Sequence, residues 1–145
     1  FAISIALKTK NNIISGLIFD PIKNEIFYAE KNSGSFFNNQ RIKVSKKNDL
    51  EDCLFATNHL GAKYSELNLR YTGCAALDLA YVGSGRLDGF FQNDINIWDI
   101  AAGAIIVEEA GGQVNDISKF KINNINIRAS STNIHSKLLE KLNNF

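Results

Sequence analysis

Phe1, Ile3, Ile5 and Leu7 alternate with Ala2, Ser4, Ala6 and Lys8 at the start of the chain. A period of two with β-branched residues predicts a half-buried strand. Asn11-Asn12 is a turn signal, and Ile13 to Phe19 predicts a second strand. Asp20-Pro21 ends it, because proline has no N–H to give a ladder. Glu25 to Glu30 predicts a third strand, and Ser33-Gly34 turns the chain into Ser35 to Phe37. Asn38-Asn39 fits a tight turn into Arg41 to Val44. The first third of the chain reads as an antiparallel meander.

The polar stretch Ser45 to Asp49 marks a boundary, dividing the chain into residues 1–49, strands of a first domain, and residues 50–145, a second α/β domain. Leu54 to Thr57 and Leu67 to Tyr71 predict short strands around a loop that holds Asn58, His59 and Gly61. Ala75 to Val82 predicts a helix stopped at Gly83 and Gly85. Leu87 to Gln92 predicts a strand and Trp98 to Ala110 a helix, closed by Gly111-Gly112 and apolar on most of its surface. Val114 to Ile117 and Ile125 to Ala129 predict strands. Ile134, Leu138, Leu139 and Leu142 predict a terminal amphipathic helix. Strands alternating with helices give a layered α/β arrangement.

Composition narrows the class. The 145 residues are 45% hydrophobic and 21% charged, with a net charge of +1. A compact fold of this length buries roughly 68–70% of its unfolded surface, so a genuine core is expected. No basic block points to nucleic acid. No apolar run approaches the roughly 20 residues needed to span a bilayer, and no signal-peptide pattern opens the chain. Cys53 and Cys74 sit among apolar or small neighbours, which favours reduced thiols and a cytoplasmic setting. The absence of methionine and a strand pattern at residue one lead us to expect that further sequence precedes Phe1.

The most specific chemistry lies between Tyr71 and Gly112. Asp99 opens a helix, where free N–H groups and the helix dipole stabilise a carboxylate by about 0.3–1 kcal/mol. The ordinary role of such a residue is a cap. Ala101, Ala102 and Gly103 change that reading, because small residues let a ligand or another backbone approach the first turn. An ionised aspartate at the edge of a cleft is a hard-oxygen ligand suited to Mg²⁺.

WDIAAGAIIVEEAGG resembles the C-terminal signature of the inositol monophosphatase family. GCAALDLAYVGSGRLDGFF is similar to the segment that leads into it, and GLIFDPIKNEIFYAEKNSGSFFNNQRIKVS is similar to the family's strand meander. The resemblance implies a layered αβαβα sugar-phosphatase fold, of which this chain supplies the C-terminal portion, a meander followed by an α/β unit. It implies a Mg²⁺-dependent phosphate monoesterase working by metal-activated water on a small phosphorylated polyol or sugar. Asp99 matches the metal-binding catalytic aspartate. Gly73, Cys74 and Ala75 match a turn that contacts the cyclitol, and Gln92 matches a position where the family often has a hydroxyl-binding Glu. Family members are often homodimers, and some bacterial relatives have roles with the transcription machinery.

The departures matter as much. Gln92 lacks the charge of Glu, and Cys74 is a poorer donor than the usual hydroxyl residue. The segment between Thr57 and Arg70 is shorter than the family's, through trimming or decay. The family's first metal motif, Asp-Pro-Leu/Ile-Asp-Gly-Thr, is expected just before Phe1; Asp20-Pro21, followed by Ile22-Lys23-Asn24, is a turn instead. With one carboxylate of the set, the isolated chain is expected to be inactive. The alternative is a non-catalytic remnant or a partner-binding pseudoenzyme.

Other residues read as ordinary. Gly83 to Gly89 leads into a strand, so it ends a helix and is no dinucleotide loop. His59 and His135 read as loop or surface residues; Asp78 and Asp88 are candidate ligands by type but are more simply explained as a charge on a helix face and a turn residue. Ser65 and Ser131 lack a recognisable base. Glu108 and Glu109 lie too far along their helix to join Asp99.

Overall fold

A computed structural model describes residues 1–10, 12–59, 64–115 and 122–143. Its first sheet is a meander in chain order, with β1 Ile3–Lys8, β2 Ile13–Asp20, β3 Glu25–Glu30, β4 Gly34–Phe37 and β5 Gln40–Arg41. Every neighbouring pair in it is antiparallel. The turns follow the predicted chemistry. Asp20 Oδ1 accepts the Ile22 and Lys23 N–H groups at 2.9 and 3.2 Å, and Asn38 and Asn39 hold φ of 43° and 68°. Pairing stops at Arg41, short of the expected Val44, because the chain then leaves the sheet: the Val44 N–H donates to the Ala110 carbonyl at 3.1 Å.

The second sheet is mixed. It contains β6 Leu54–Ala56, β7 Asn68–Arg70, β8 Gly89–Ile95, β9 Gly112–Val114 and β10 Ile125–Ser131, in the order β7-β6-β8-β10-β9. Strand β6 runs parallel to β7 and β8, whereas β10 is antiparallel to β8 and β9. The expected strand Val114 to Ile117 is displaced toward Gly112, and Ile117 lies outside the described residues. A short 3₁₀ turn, Leu50–Asp52, joins the two parts.

Helices α1, Ala75–Gly83, and α2, Ile97–Glu109, fill the space between the sheets. Ala76, Leu77 and Ala80 of α1 and Ala102, Ile105 and Ile106 of α2 pack against Ile18, Phe27 and Ala29 of the first sheet. Leu79, Val82, Ile100, Ala104 and Val107 pack against Ala56, Phe90, Ile127 and Ala129 of the second. Both helices are apolar on nearly all sides because both sides are covered. Helix α3, His135–Asn143, lays Leu138 and Leu142 on the far side of the second sheet, against Phe55 and Phe91.

The described residues therefore form four layers, sheet–helices–sheet–helix, of the expected five. On the open face of the first sheet, Ile3, Ile5 and Leu7 are 51%, 60% and 58% exposed. Among the described residues no helix is long and apolar enough to cross a membrane.

Three side chains depart from their expected places. His135 is buried, with Nδ1 2.8 Å from the buried Ser130 Oγ, and burial lowers its pKa. Asp88 is no simple turn residue: it is buried, accepts the Leu54 N–H at 2.7 Å and pairs with Lys47 at 2.9 Å. Asp78 is fully buried instead of lying on an exposed helix face. In each case a partner distant in sequence, or a covering layer, removes the residue from solvent.

Candidate active site

Small residues set the geometry of the helical layer. A Cβ at Gly103 would lie 2.4 Å from Leu79 Cβ, and one at Gly83 would lie 2.8 Å from Ile106 Cγ2. The matched positions rise together along both helices, so α1 and α2 run parallel with their N-termini at the same end. Stepping back one turn from the Gly103–Leu79 contact puts Asp99 level with Ala75. A Cβ at Gly16 would meet the Ala102 carbonyl oxygen at 2.7 Å, so the first sheet also comes to backbone contact with α2.

Asp99 is the third residue of α2, half-exposed, with its N–H on the Asn96 carbonyl at 3.1 Å. Among the described residues its carboxylate has no hydrogen-bond or ion-pair partner. Helix α1 begins without a side-chain cap at Cys74. Gly73, just before it, is exposed with φ of +78°, and a Cβ there would touch nothing within 4 Å. Glycine is favoured there by backbone conformation, and the turn stays open to solvent. Cys74 and Ala75 are half-buried.

Gln92 lies on β8, which runs straight into α2 through Asn96. Its Oε1 accepts from Asn58 Nδ2 at 2.9 Å. Just beyond it the ladder slips: Gln92 pairs with Ile127 and Ile95 with Ile125, with Asp94 at φ of +54°. Such irregularities re-aim the chain at the rim of a sheet. Arg128 staples this one, donating to the Gln92 and Ile127 carbonyls at 3.2 and 2.7 Å and to Asn93 Oδ1 at 2.7 Å. Burial lowers the pKa of its guanidinium. His59 contributes too, its Nε2 accepting the Asn93 N–H at 2.8 Å.

Asp99, Gly73, Cys74 and Ala75 thus lie at one end of the helical layer, with Gln92 on the strand that leads into α2. Glu109 belongs to the other end of α2, where its carboxylate accepts the Asn32 and Gly34 N–H groups at 2.9 Å each. The sequence singles out no role for Thr72 and predicts Asp78 as a helix-face charge. Thr72 Oγ1 donates to Asp78 Oδ1 at 2.6 Å and accepts the Cys74 N–H at 3.3 Å. The available signal was a lone charge inside the apolar run Ala75-Ala76-Leu77-Asp78-Leu79-Ala80.

The donor set limits what this end can bind. Among the described residues no group of three His, Cys, Asp or Glu could hold a metal ion. Asp99 fits as one hard-oxygen ligand, but by itself it makes no Mg²⁺ centre, which requires near-octahedral oxygen coordination.

A family model described as the inositol monophosphatase family matches residues 1–144. The chain is 41% identical over 154 residues to a protein of Thermotoga maritima named fructose-1,6-bisphosphatase/inositol-1-monophosphatase, a match covering 99% of this chain and 60% of that protein. It is 35% identical over 159 residues to a Haemophilus influenzae protein named Nus factor SuhB, with 98% and 60% covered. The solved structure of the extragenic suppressor protein suhB from Bartonella henselae matches with a TM-score of 0.88 at 43% identity, over 98% of this chain and 64% of that one. An IMPase from Thermotoga maritima matches with a TM-score of 0.86 at 39% identity, over 99% and 61%. The chain spans about 60% of the length of the curated relatives it matches.

Proposed function

The chain belongs to the inositol monophosphatase family, and from that premise we propose that the whole protein is a Mg²⁺-dependent hydrolase of small phosphorylated polyols or sugars. The observation that carries this reading is the half-exposed Asp99 carboxylate, unpartnered among the described residues and level with the start of α1, which has no side-chain cap. In this reading Asp99 is a metal ligand. The turn at Gly73, Cys74 and Ala75 and the side-chain amide of Gln92 orient the alcohol part of the substrate. Gln92 binds a hydroxyl without adding negative charge, and Asn58 holds its amide in place.

When bound, Mg²⁺ held in part by Asp99 would supply an activated water and neutralise developing charge. Phosphate monoester hydrolysis needs such help, since accelerations on the order of 10²¹ are known for it. The relatives extend beyond the matched region, and we place the remaining ligands there. The 145-residue chain by itself then releases no phosphate. Cys53 and Cys74 are free thiols, which suits a cytoplasmic protein. The oligomer implied by the family resemblance is a homodimer, and mass measurement in solution tests it.

The experiment is phosphate release from inositol 1-phosphate with Mg²⁺. It compares the chain alone with a chimera carrying the N-terminal segment of the Thermotoga maritima relative. Activity is expected only in the chimera, and is expected to be lost on chelation of the metal or on Asp99→Asn. Robust release by the chain alone would falsify the assignment of the missing ligands.

The relative named Nus factor SuhB favours one second reading, a partner-binding protein without catalysis. A folded but silent chimera is the result that selects it.

A further inference from the structure

Asp78 is a fully buried carboxylate whose Oδ2 has no hydrogen-bond partner among the described residues. Burying a charged group with only one side satisfied is costly, so this residue asks for a reason beyond packing. Its hydrogen bond to Thr72 supplies that reason. Oδ1 accepts a hydrogen bond from the Thr72 hydroxyl at 2.6 Å, leaving the Thr72 oxygen to accept the Cys74 N–H at 3.3 Å. The Asp78 N–H meanwhile donates to the Cys74 carbonyl at 3.0 Å. The carboxylate in the core is thus linked, through one exposed threonine, to both ends of the turn that holds Gly73.

That turn has few other restraints. Gly73 is exposed at φ of +78° with open space around it, and Cys74 makes no side-chain cap. We propose that Thr72 and Asp78 are positioning residues that hold the Gly73–Ala75 turn in the geometry that receives the substrate's hydroxyl groups. This rests on the phosphatase reading for its substrate and on the hydrogen-bond geometry for the tether. Neither residue touches the reacting phosphate. Their effect is on substrate affinity, exerted through the backbone of Cys74.

The test uses Thr72→Val, which removes the hydroxyl from an exposed residue at nearly unchanged side-chain volume, and Thr72→Ser, which restores it. The first readout needs no activity: the rate at which a small thiol reagent modifies Cys74 in the chain itself. Cys53 stays silent in this assay, since burial pushes its thiol up to about 11. Losing one hydrogen bond of ordinary strength is expected to speed Cys74 modification about threefold or more in Thr72→Val, with Thr72→Ser returning to the parent rate. Unchanged rates overturn the tether.

The second readout is the KM-against-kcat split in the active chimera. KM is expected to rise about tenfold in Thr72→Val with kcat within about twofold, and Thr72→Ser to recover the parent value. A changed thiol rate with unchanged KM overturns the substrate role. A silent parent chimera beside a responsive Cys74 removes the phosphatase reading, and the substrate role with it, while the tether stands.

Discussion

Helices α1 and α2 start side by side, and each carries one aspartate in its opening turn, yet the two carboxylates meet opposite surroundings. Asp99 is half-exposed and unpartnered among the described residues. Asp78 is sealed, tied to Thr72 through one oxygen and unsatisfied at the other. Burial, only partly offset by the Thr72 hydrogen bond, raises the Asp78 pKa to about 6. A carboxylate that serves as a ligand must stay accessible. One that positions a loop can be buried, provided the fold tolerates its charge.

The first way to break the comparison is to break the alignment of the helices. Gly103→Val puts a branched side chain where even a Cβ would lie 2.4 Å from Leu79 Cβ. Overpacking of this kind is expected to cost on the order of 3 kcal/mol, read by urea denaturation, and to silence the chimera by separating the two helix starts. An unchanged midpoint would show that the layer yields more easily than its contacts imply.

The second prediction concerns charge. The folded-state pKa of Asp78 lies above its ordinary carboxylate value, so between about pH 4 and pH 6 the folded state holds more protons than the unfolded chain. Its contribution to stability is therefore most favourable below that window and declines as pH rises through it, by on the order of 3 kcal/mol in total. Asp78→Asn is expected to remove this decline and to gain about 2 kcal/mol at pH 8, because the amide avoids burying charge but still needs partners. Parallel stability–pH profiles for parent and variant would refute it.

The smallest expected effect on stability is at the other helix. Asp99→Asn loses only a favourable charge at a helix start and is expected to cost about 0.5 kcal/mol, while abolishing phosphate release by the chimera. A cost of several kcal/mol would mark Asp99 as structural and weaken its assignment as a ligand.

The local elements were legible because they are written in short-range periodicity. The meander, the Asx turn at Asp20-Pro21, the glycine-ended α1 and the run of α2 all follow from neighbours within a few residues. Asp99 was legible for the same reason, as an acid at a helix start flanked by small residues. Asp78 was misread because α1 is apolar on both sides and leaves no solvent face for a charge to occupy. His135 was misread because its partner Ser130 lies on the neighbouring strand, where only the packing of α3 against β10 seals the pair. Asp88 looked like a turn residue until Lys47 and the Leu54 N–H, far away in sequence, closed over it.

By itself the sequence determined the succession of elements, the family they belong to and the residue types at the candidate site, since local periodicity and motif spacing are carried by the chain. Only the tertiary structure decided that α1 and α2 run parallel, that their N-termini lie at one end of the helical layer, and which aspartate is buried. Those outcomes depend on close packing at Gly16, Gly83 and Gly103 and on a slipped ladder between β8 and β10. Such contacts join residues too far apart in sequence for any local pattern to record.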